Sequence, residues 1–279
     1  MLGVIGGSGF YSMDEIENKE EKWVDTPFGK ASSPVVIGEY KSKKIAFLPR
    51  HGSGHKYLPS EINFKANIYS LKSLGVTSLV SISAVGSLRD EIAPGDFSIV
   101  DQYIDFTKNR DSSFFGDGIA AHVSTANPTC RLLAKQIAKA AELAGEKIHE
   151  AKTYICVEGP RLGTQAESHL FRQWGADLVG MTNTPEAFLA KEAQMAYCTM
   201  AVATDYDCWR SEKEFVSVEQ VLQQFGQSIS RAKNVMLKLF EMDWDDSQSE
   251  FRQVLKSSVM TPLNAMSEEK RKLFEVLSR

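Results

Sequence analysis

The chain has 279 residues, 43% hydrophobic and 24% charged, enough for one large α/β domain or two small ones with an ordinary soluble globular composition. A formal net charge of -4 without a basic stripe argues against a nucleic-acid partner. No apolar run has the length to span a bilayer and the N-terminus lacks a basic leader region, so no membrane partner is expected and the cytoplasm is the default. Cys130, Cys156, Cys198 and Cys208 are scattered without a C-x-x-C, which points to neither a zinc knuckle nor a disulfide scaffold.

In chain order, residues 2–5 form an apolar run that feeds into Gly6-Gly7-Ser8-Gly9, a strand ending in a glycine turn able to hold an anion. Residues 35–37 and 45–48 read as two strands around a polar turn, and the second delivers Pro49-Arg50-His51-Gly52-Ser53-Gly54-His55. Arg50 offers a planar donor fork suited to phosphate. His51 and His55 have a zinc-like spacing, but the Gly-Ser-Gly between them is no helix and no third ligand is evident. Helical spacing over 60–74 closes at Gly75, and a buried strand over 78–83 ends at Ala84-Val85-Gly86-Ser87. A strand at 97–100 follows, then His122, which alone reads as structural or exposed, and Asn127-Pro128, which predicts a helix start running to 144.

A strand at 154–157 leads into Glu158-Gly159-Pro160-Arg161-Leu162, with a helix at 165–174 and a strand at 178–181 running into Thr182. Thr184-Pro185-Glu186 opens a helix, and the apolar run 197–202 brings Thr204-Asp205-Tyr206-Asp207 to a strand end. Side chains two apart in extended backbone point the same way, so both acids can face one ligand, one as donor and one as acceptor; a solvated turn or a divalent-metal pair are the alternatives. Ser217-x-x-Gln220 has the form of a capping box before a stripe of Val218, Val221, Leu222 and Phe225, read mostly as core. An acidic break at 243–247 precedes one or two short amphipathic helices over 251–279. Alternating strands and helices imply an α/β layered sheet with helices on both faces and a site along one sheet edge.

Taken together, Gly6-Gly7-Ser8-Gly9, Pro49-Arg50-His51-Gly52, Ser83-Ala84-Val85-Gly86-Ser87-Leu88, Glu158-Gly159-Pro160-Arg161, Gly180-Met181-Thr182 and Thr204-Asp205-Tyr206-Asp207 occur in the order of a known family. Over about residues 2–241 the chain resembles the 5′-methylthioadenosine phosphorylases of the trimeric purine nucleoside phosphorylase superfamily. The resemblance implies a single three-layer α/β/α domain with a central mixed sheet over 1–241; the tail over 242–279, which it does not cover, reads as a helical extension, part of the same domain or appended. It implies a homotrimer or dimer of trimers, no metal, no cofactor, and inorganic phosphate as co-substrate attacking C1′ of S-methyl-5′-thioadenosine. The alternatives are a broader purine nucleoside phosphorylase taking adenosine, inosine or guanosine, a nucleosidase using water, and a non-catalytic nucleoside-binding module.

Carried over by motif, the phosphate site is Ser8, Arg50, His51, Ser83, Ala84 and Thr182; Met181 resembles the ribose contact, and Asp205 and Asp207 the catalytic purine contacts. Val218, Val221 and Leu222 match an apolar wall around the methylthio group, and His122 a residue lent to a neighbouring subunit. Leu162 stands where the family usually has Phe, so a stacking contact with the base becomes an aliphatic one. The chemistry agrees: cleavage builds positive charge on the ribose and negative charge on the base, which calls for an anionic nucleophile on one side and an acid on the other. Asp205 is expected to donate to N7 and Asp207 to accept from the 6-amino group.

Overall fold

The computed structural model describes residues 1–7, 13–210 and 218–279, apart from the side chains at 218 and 220–222. Ser8 and Ser217 therefore lie outside the described residues, as do the side chains of Val218, Val221 and Leu222.

The centre is built from parallel strands β1 (Leu2–Gly6), β4 (Lys43–Pro49), β5 (Ser78–Ser87) and β9 (Ala196–Asp205), in spatial order β4-β1-β5-β9. Every residue of β9 from Ala196 to Thr204 is buried, because a strand covered on both faces needs a continuous apolar run rather than an alternating one. β2 (Glu17–Lys22) and β3 (Val35–Tyr40) add antiparallel to the β4 edge. β6 (Phe97–Phe106), β7 (Ile148–Val157) and β8 (Leu178–Gly180) complete a mixed sheet, with β8 returning antiparallel to β5 and β6 antiparallel to β9. Since β5 pairs with both β8 and β9, the strands β5-β8-β7-β6-β9 close into a ring.

The registers leave one opening in that ring. β1 accompanies β5 only as far as Ile82, and β8 meets it only at Gly86 and Ser87, while β9 runs along the opposite edge throughout. The edge of β5 across residues 83–85 thus has no strand partner on that side among the described residues.

Helices lie on both sides of the sheet. α1 (Phe64–Ser73) packs on α4 (Asn183–Glu192) and α7 (Glu268–Leu277), and α2 (Arg131–Leu143) packs on α5 (Val218–Glu241). α3 (Gln165–Gln173) buries Phe171 against Leu88 and Ile155. Among the described residues no helix is long and apolar enough to cross a membrane.

Three local differences from the sequence reading have clear causes. β2, with the sequence Glu-Asn-Lys-Glu-Glu-Lys, has no apolar face to reveal it, yet charge is what an exposed edge strand carries to avoid pairing with other chains. α1 begins at Phe64 rather than near 60, because Asn63 caps it by accepting from the Ala66 amide at 3.0 Å. α2 begins at Arg131, three residues past Pro128: the Thr129 hydroxyl donates to the Val100 carbonyl and the Cys130 amide to the Tyr197 carbonyl, tying 129–130 to the sheet with Cys130 extended.

The C-terminal stretch packs on the same core. Phe251, Leu255, Leu273 and Leu277 are buried in the cluster that includes Ile5, Leu48 and Ile68, and the Lys72 ammonium donates to the Arg279 carbonyl at 2.9 Å.

Candidate active site

The ends of β1, β4, β5, β7 and β9 open onto a cavity of about 440 Å³, within the range that holds a drug-sized molecule. Gly7, Arg50, His51, Ser83, Ala84, Met181, Thr182, Asp205, Asp207 and Leu162 all border it. Residues drawn from six separate stretches of sequence meet in one place.

One part of the cavity is built for an anion. The Ser83 and Thr182 hydroxyls stand 3.3 Å apart beside the unpaired edge of β5, and Thr182, the N-cap of α4, spends no hydrogen bond on capping its helix. Arg50 departs from the sequence reading. Its Nε and Nη2 meet the Glu186 carboxylate at 2.6 and 2.9 Å, Nη2 also reaches the Ser81 hydroxyl, and Nη1 donates to the Ile82 carbonyl at 3.1 Å. The fork is spent inside the protein, leaving a single Nη1 hydrogen for a ligand. Tyr197 donates to Glu186 at 2.9 Å, so the carboxylate is anchored from both sides. His51 is 8% exposed, donates from Nδ1 to the Tyr57 carbonyl at 2.9 Å, and stacks on His55 with ring centroids 4.0 Å apart; burial lowers its pKa to about 4. The two histidines pair as rings, and among the described residues no three His, Cys, Asp or Glu lie together as metal ligands.

The other part is acidic. Asp205 closes β9, its Oδ2 accepting from the Thr204 hydroxyl at 2.6 Å and its Oδ1 from the Asp207 amide at 2.7 Å. Burial pushes both carboxyls above the ordinary Asp value. The i, i+2 argument for a shared direction assumed extended backbone; Asp207 instead takes φ +51, past the strand end, and its amide turns back onto Asp205. Gly86 makes this possible. A Cβ there would sit 3.0 Å from Asp205 Oδ1 and 3.3 Å from the Asp207 Cβ. Ser83 and Gly86 are three residues apart on β5, so the hydroxyls and the carboxyls are separated by about 10 Å of strand, room for a sugar between them.

Leu162 borders the cavity and is 43% exposed, on a loop shaped by Arg161, whose guanidinium grips Glu167 at 2.6 and 2.7 Å. Glu167 in turn completes a capping box with Thr164 at the start of α3. Phe225, read as core, packs against the core and lines the cavity as well, and His55 lines it too. His122 does not line its own chain's cavity: its amide donates to the Ser258 carbonyl, beside the bridge between Ala121 and Val259. The loop after Asp207 is pinned to the sheet by Trp209, which donates to the Ser87 carbonyl at 2.8 Å beneath the Arg172 guanidinium.

Glu186 is the functional residue that sequence reading missed. It stands 136 positions from Arg50, and an acid just after a proline in a first helical turn has a sufficient local explanation. A buried arginine at a strand end, which must be paired, was the available signal.

The family model described as the phosphorylase superfamily matches residues 1–241. The chain belongs to this superfamily. Among its relatives are proteins named S-methyl-5′-thioadenosine phosphorylase from Synechocystis sp., 46% identical over 94% of this chain and 81% of that protein, and from Thermosynechococcus vestitus, 43% identical over 100% and 98%. A crystal structure of a methylthioadenosine phosphorylase from an Antarctic soil metagenomic library superposes with a TM-score of 0.94, at 43% identity and covering 99% and 98% of the two chains. A mutant adenosine/methylthioadenosine phosphorylase from Schistosoma mansoni, in complex with adenine, superposes at 0.87 with 34% identity over 93% and 98%. The metagenomic structure covers nearly the whole chain.

Proposed function

We propose that the protein catalyses phosphorolysis of S-methyl-5′-thioadenosine, a reaction that releases adenine and 5-methylthioribose 1-phosphate. The observation that carries this reading is a single cavity bordered at one part by the Ser83 and Thr182 hydroxyls and at another by the half-buried carboxyls of Asp205 and Asp207 at and just past the end of β9. The names borne by relatives at 43–46% identity support it.

In this reading Ser8, Arg50, His51, Ser83, Ala84 and Thr182 hold phosphate, Met181 contacts the ribose, and Leu162 packs on the base. Asp205 donates to N7 as the glycosidic bond breaks, a role that needs a carboxyl kept partly protonated, and burial pushes it that way. The bonds from Thr204 and the Asp207 amide fix the plane of that carboxyl. Asp207 accepts from the 6-amino group. The reaction balances without an external proton: monohydrogen phosphate loses its hydrogen in forming the dianionic ester, and adenine gains one. It calls for no metal and no cofactor.

The active form is a homotrimer or a dimer of trimers in the cytoplasm, with Val218, Val221 and Leu222 around the methylthio group and His122 serving a neighbouring subunit. The exclusion of His122 from its own cavity supports that assignment. Residues 242–279 count as part of the catalytic domain, supported by their share of its core. A second reading adds adenosine as substrate, favoured by the name of the Schistosoma relative. The test is adenine release from methylthioadenosine with and without phosphate. Equal release in phosphate-free buffer, with free methylthioribose as product, overturns the proposal.

A further inference from the structure

Two features of the anion site are at odds with simple charge attraction. The Arg50 guanidinium on it is compensated by Glu186, and the His51 ring, held on the Tyr57 carbonyl, is neutral near pH 7. The His51 tautomer follows from chemistry rather than from titration. Nδ1 lies 2.9 Å from the Tyr57 carbonyl oxygen, a group that only accepts, so Nδ1 carries the ring hydrogen. In the neutral ring Nε2 is then a bare lone pair. It has no hydrogen-bond partner among the described residues, while the ring itself borders the cavity.

We infer that His51 reads the proton of the attacking anion: Nε2 accepts a hydrogen bond from the P–O–H group of monohydrogen phosphate, and this selects phosphate over sulfate. The inference rests on the phosphorolysis reading and sharpens it. Sulfate and monohydrogen phosphate carry the same charge and nearly the same shape at neutral pH, but sulfate has four acceptors and no donor. Opposite a bare Nε2 one of its oxygens meets a lone pair, and it fits only if the ring first takes up a proton. That proton is disfavoured by everything around the ring. His51 is buried, it adjoins the Arg50 guanidinium, and its face is covered by His55. Glu186 faces Arg50 rather than the imidazole, and Asp205 and Asp207, which share the cavity, are themselves pushed toward their neutral forms.

The experiment uses the wild-type enzyme, with sulfate as competitor against phosphate in methylthioadenosine phosphorolysis between pH 6.5 and 8.5. At pH 7.5 the inhibition constant of sulfate is expected to exceed the KM for monohydrogen phosphate by roughly 10- to 100-fold, the size of one lost hydrogen bond to a buried group. The ratio of the two constants is expected to grow about tenfold per pH unit, because sulfate binding carries one extra proton. Taking the ratio removes any group that acts on both anions alike. His51→Gln, whose amide presents either an acceptor or a donor, is expected to flatten the pH dependence and narrow the gap. Sulfate behaviour that does not change with pH, whether inhibition or none, overturns the inference. Adenine release that needs no phosphate overturns the phosphorolysis reading instead, a separate outcome visible before any sulfate is added.

Discussion

Arg50 and Glu186 meet edge to edge in the core, Nε 2.6 Å from Oε2 and Nη2 2.9 Å from Oε1, with side chains 2% and 0% exposed. The pair sits directly beneath the cavity floor, tied on through Ser81, Ile82 and Tyr197. It therefore sets the position of the arginine at least as much as it uses its charge.

Breaking this pair is expected to cost more in stability than its position near a surface cavity suggests. Arg50→Met leaves the Glu186 carboxylate buried without its counter-charge, a loss of about 3–5 kcal/mol. The double variant Arg50→Met/Glu186→Leu should recover a large part of it, because both charges are gone. Urea unfolding of the two singles and the double measures the coupling; singles that each lose less than about 1 kcal/mol would show the pair to be as weak as an exposed one.

Asp205→Asn keeps a hydrogen-bonding group but removes the acid. Turnover on methylthioadenosine is expected to fall by about 10²–10⁴, the usual contribution of a general acid, with a smaller change in nucleoside KM. Single-turnover rates separate the chemical step from binding, and a wild-type rate in the variant would take Asp205 out of the proton transfer.

Asp207→Asn adds a donor where the proposed substrate presents its 6-amino group. Preference should move toward 6-oxopurine nucleosides by roughly five- to over a hundredfold in relative kcat/KM, corresponding to about 1–3 kcal/mol. The ratio for adenosine and inosine in wild type and variant decides; an unchanged ratio would mean that the base meets something else.

The pH dependence of stability carries two opposite signatures. Asp205 and Asp207 have folded pKa values raised by burial, so the folded chain holds their protons more tightly and stability falls as pH rises from the ordinary value of 3.8 toward the raised ones. In Asp207→Asn that loss is absent: its Tm relative to wild type should climb across this window and be lowest below it. His51 runs the other way. Its folded pKa is lowered from 6.5 to about 4, so its contribution is present above 6.5 and is lost as pH falls through about 4. Thermal melts of His51→Gln against wild type between pH 8 and 4 should show a shallower acid limb, and parallel curves would refute the buried neutral ring.

If His122 completes a neighbour's site, two variants that are each poorly active should complement each other. Random mixing of Asp205→Asn and His122→Ala subunits in a cyclic trimer restores about a quarter of the sites to full composition. Co-refolded mixtures more active than either parent fit the proposal, whereas a mixture that only averages its parents places His122 with its own subunit.

The sequence made the strand-end loops legible because glycines, prolines and hydroxyls mark them locally. Ser83, Thr182, Asp205 and Arg50 were found that way and do meet in one cavity. What local signals could not show was how each side chain is used. Arg50 has its partner 136 residues away, Asp207 reaches the cavity through a left-handed turn rather than strand alternation, and β2 hides behind its own charge. Phe225 illustrates the limit of periodicity: an apolar stripe on a helix looks the same whether it faces the core or a ligand cavity.

The missing strand partner across residues 83–85 has a consequence for dynamics. Amides 78–82 are locked on both edges and should exchange with solvent only when the whole domain opens, whereas the next three residues hold a ladder on one edge alone. Successive amides point to alternate edges, so a ligand in that open seam would partner those of residues 83–85 that face it and leave the β9 ladder as it is. Deuterium uptake in the peptide spanning residues 83–85 would then slow on saturation, while the rest of β5 stays unchanged, so the site announces its occupancy through the seam-facing amides of an otherwise silent strand.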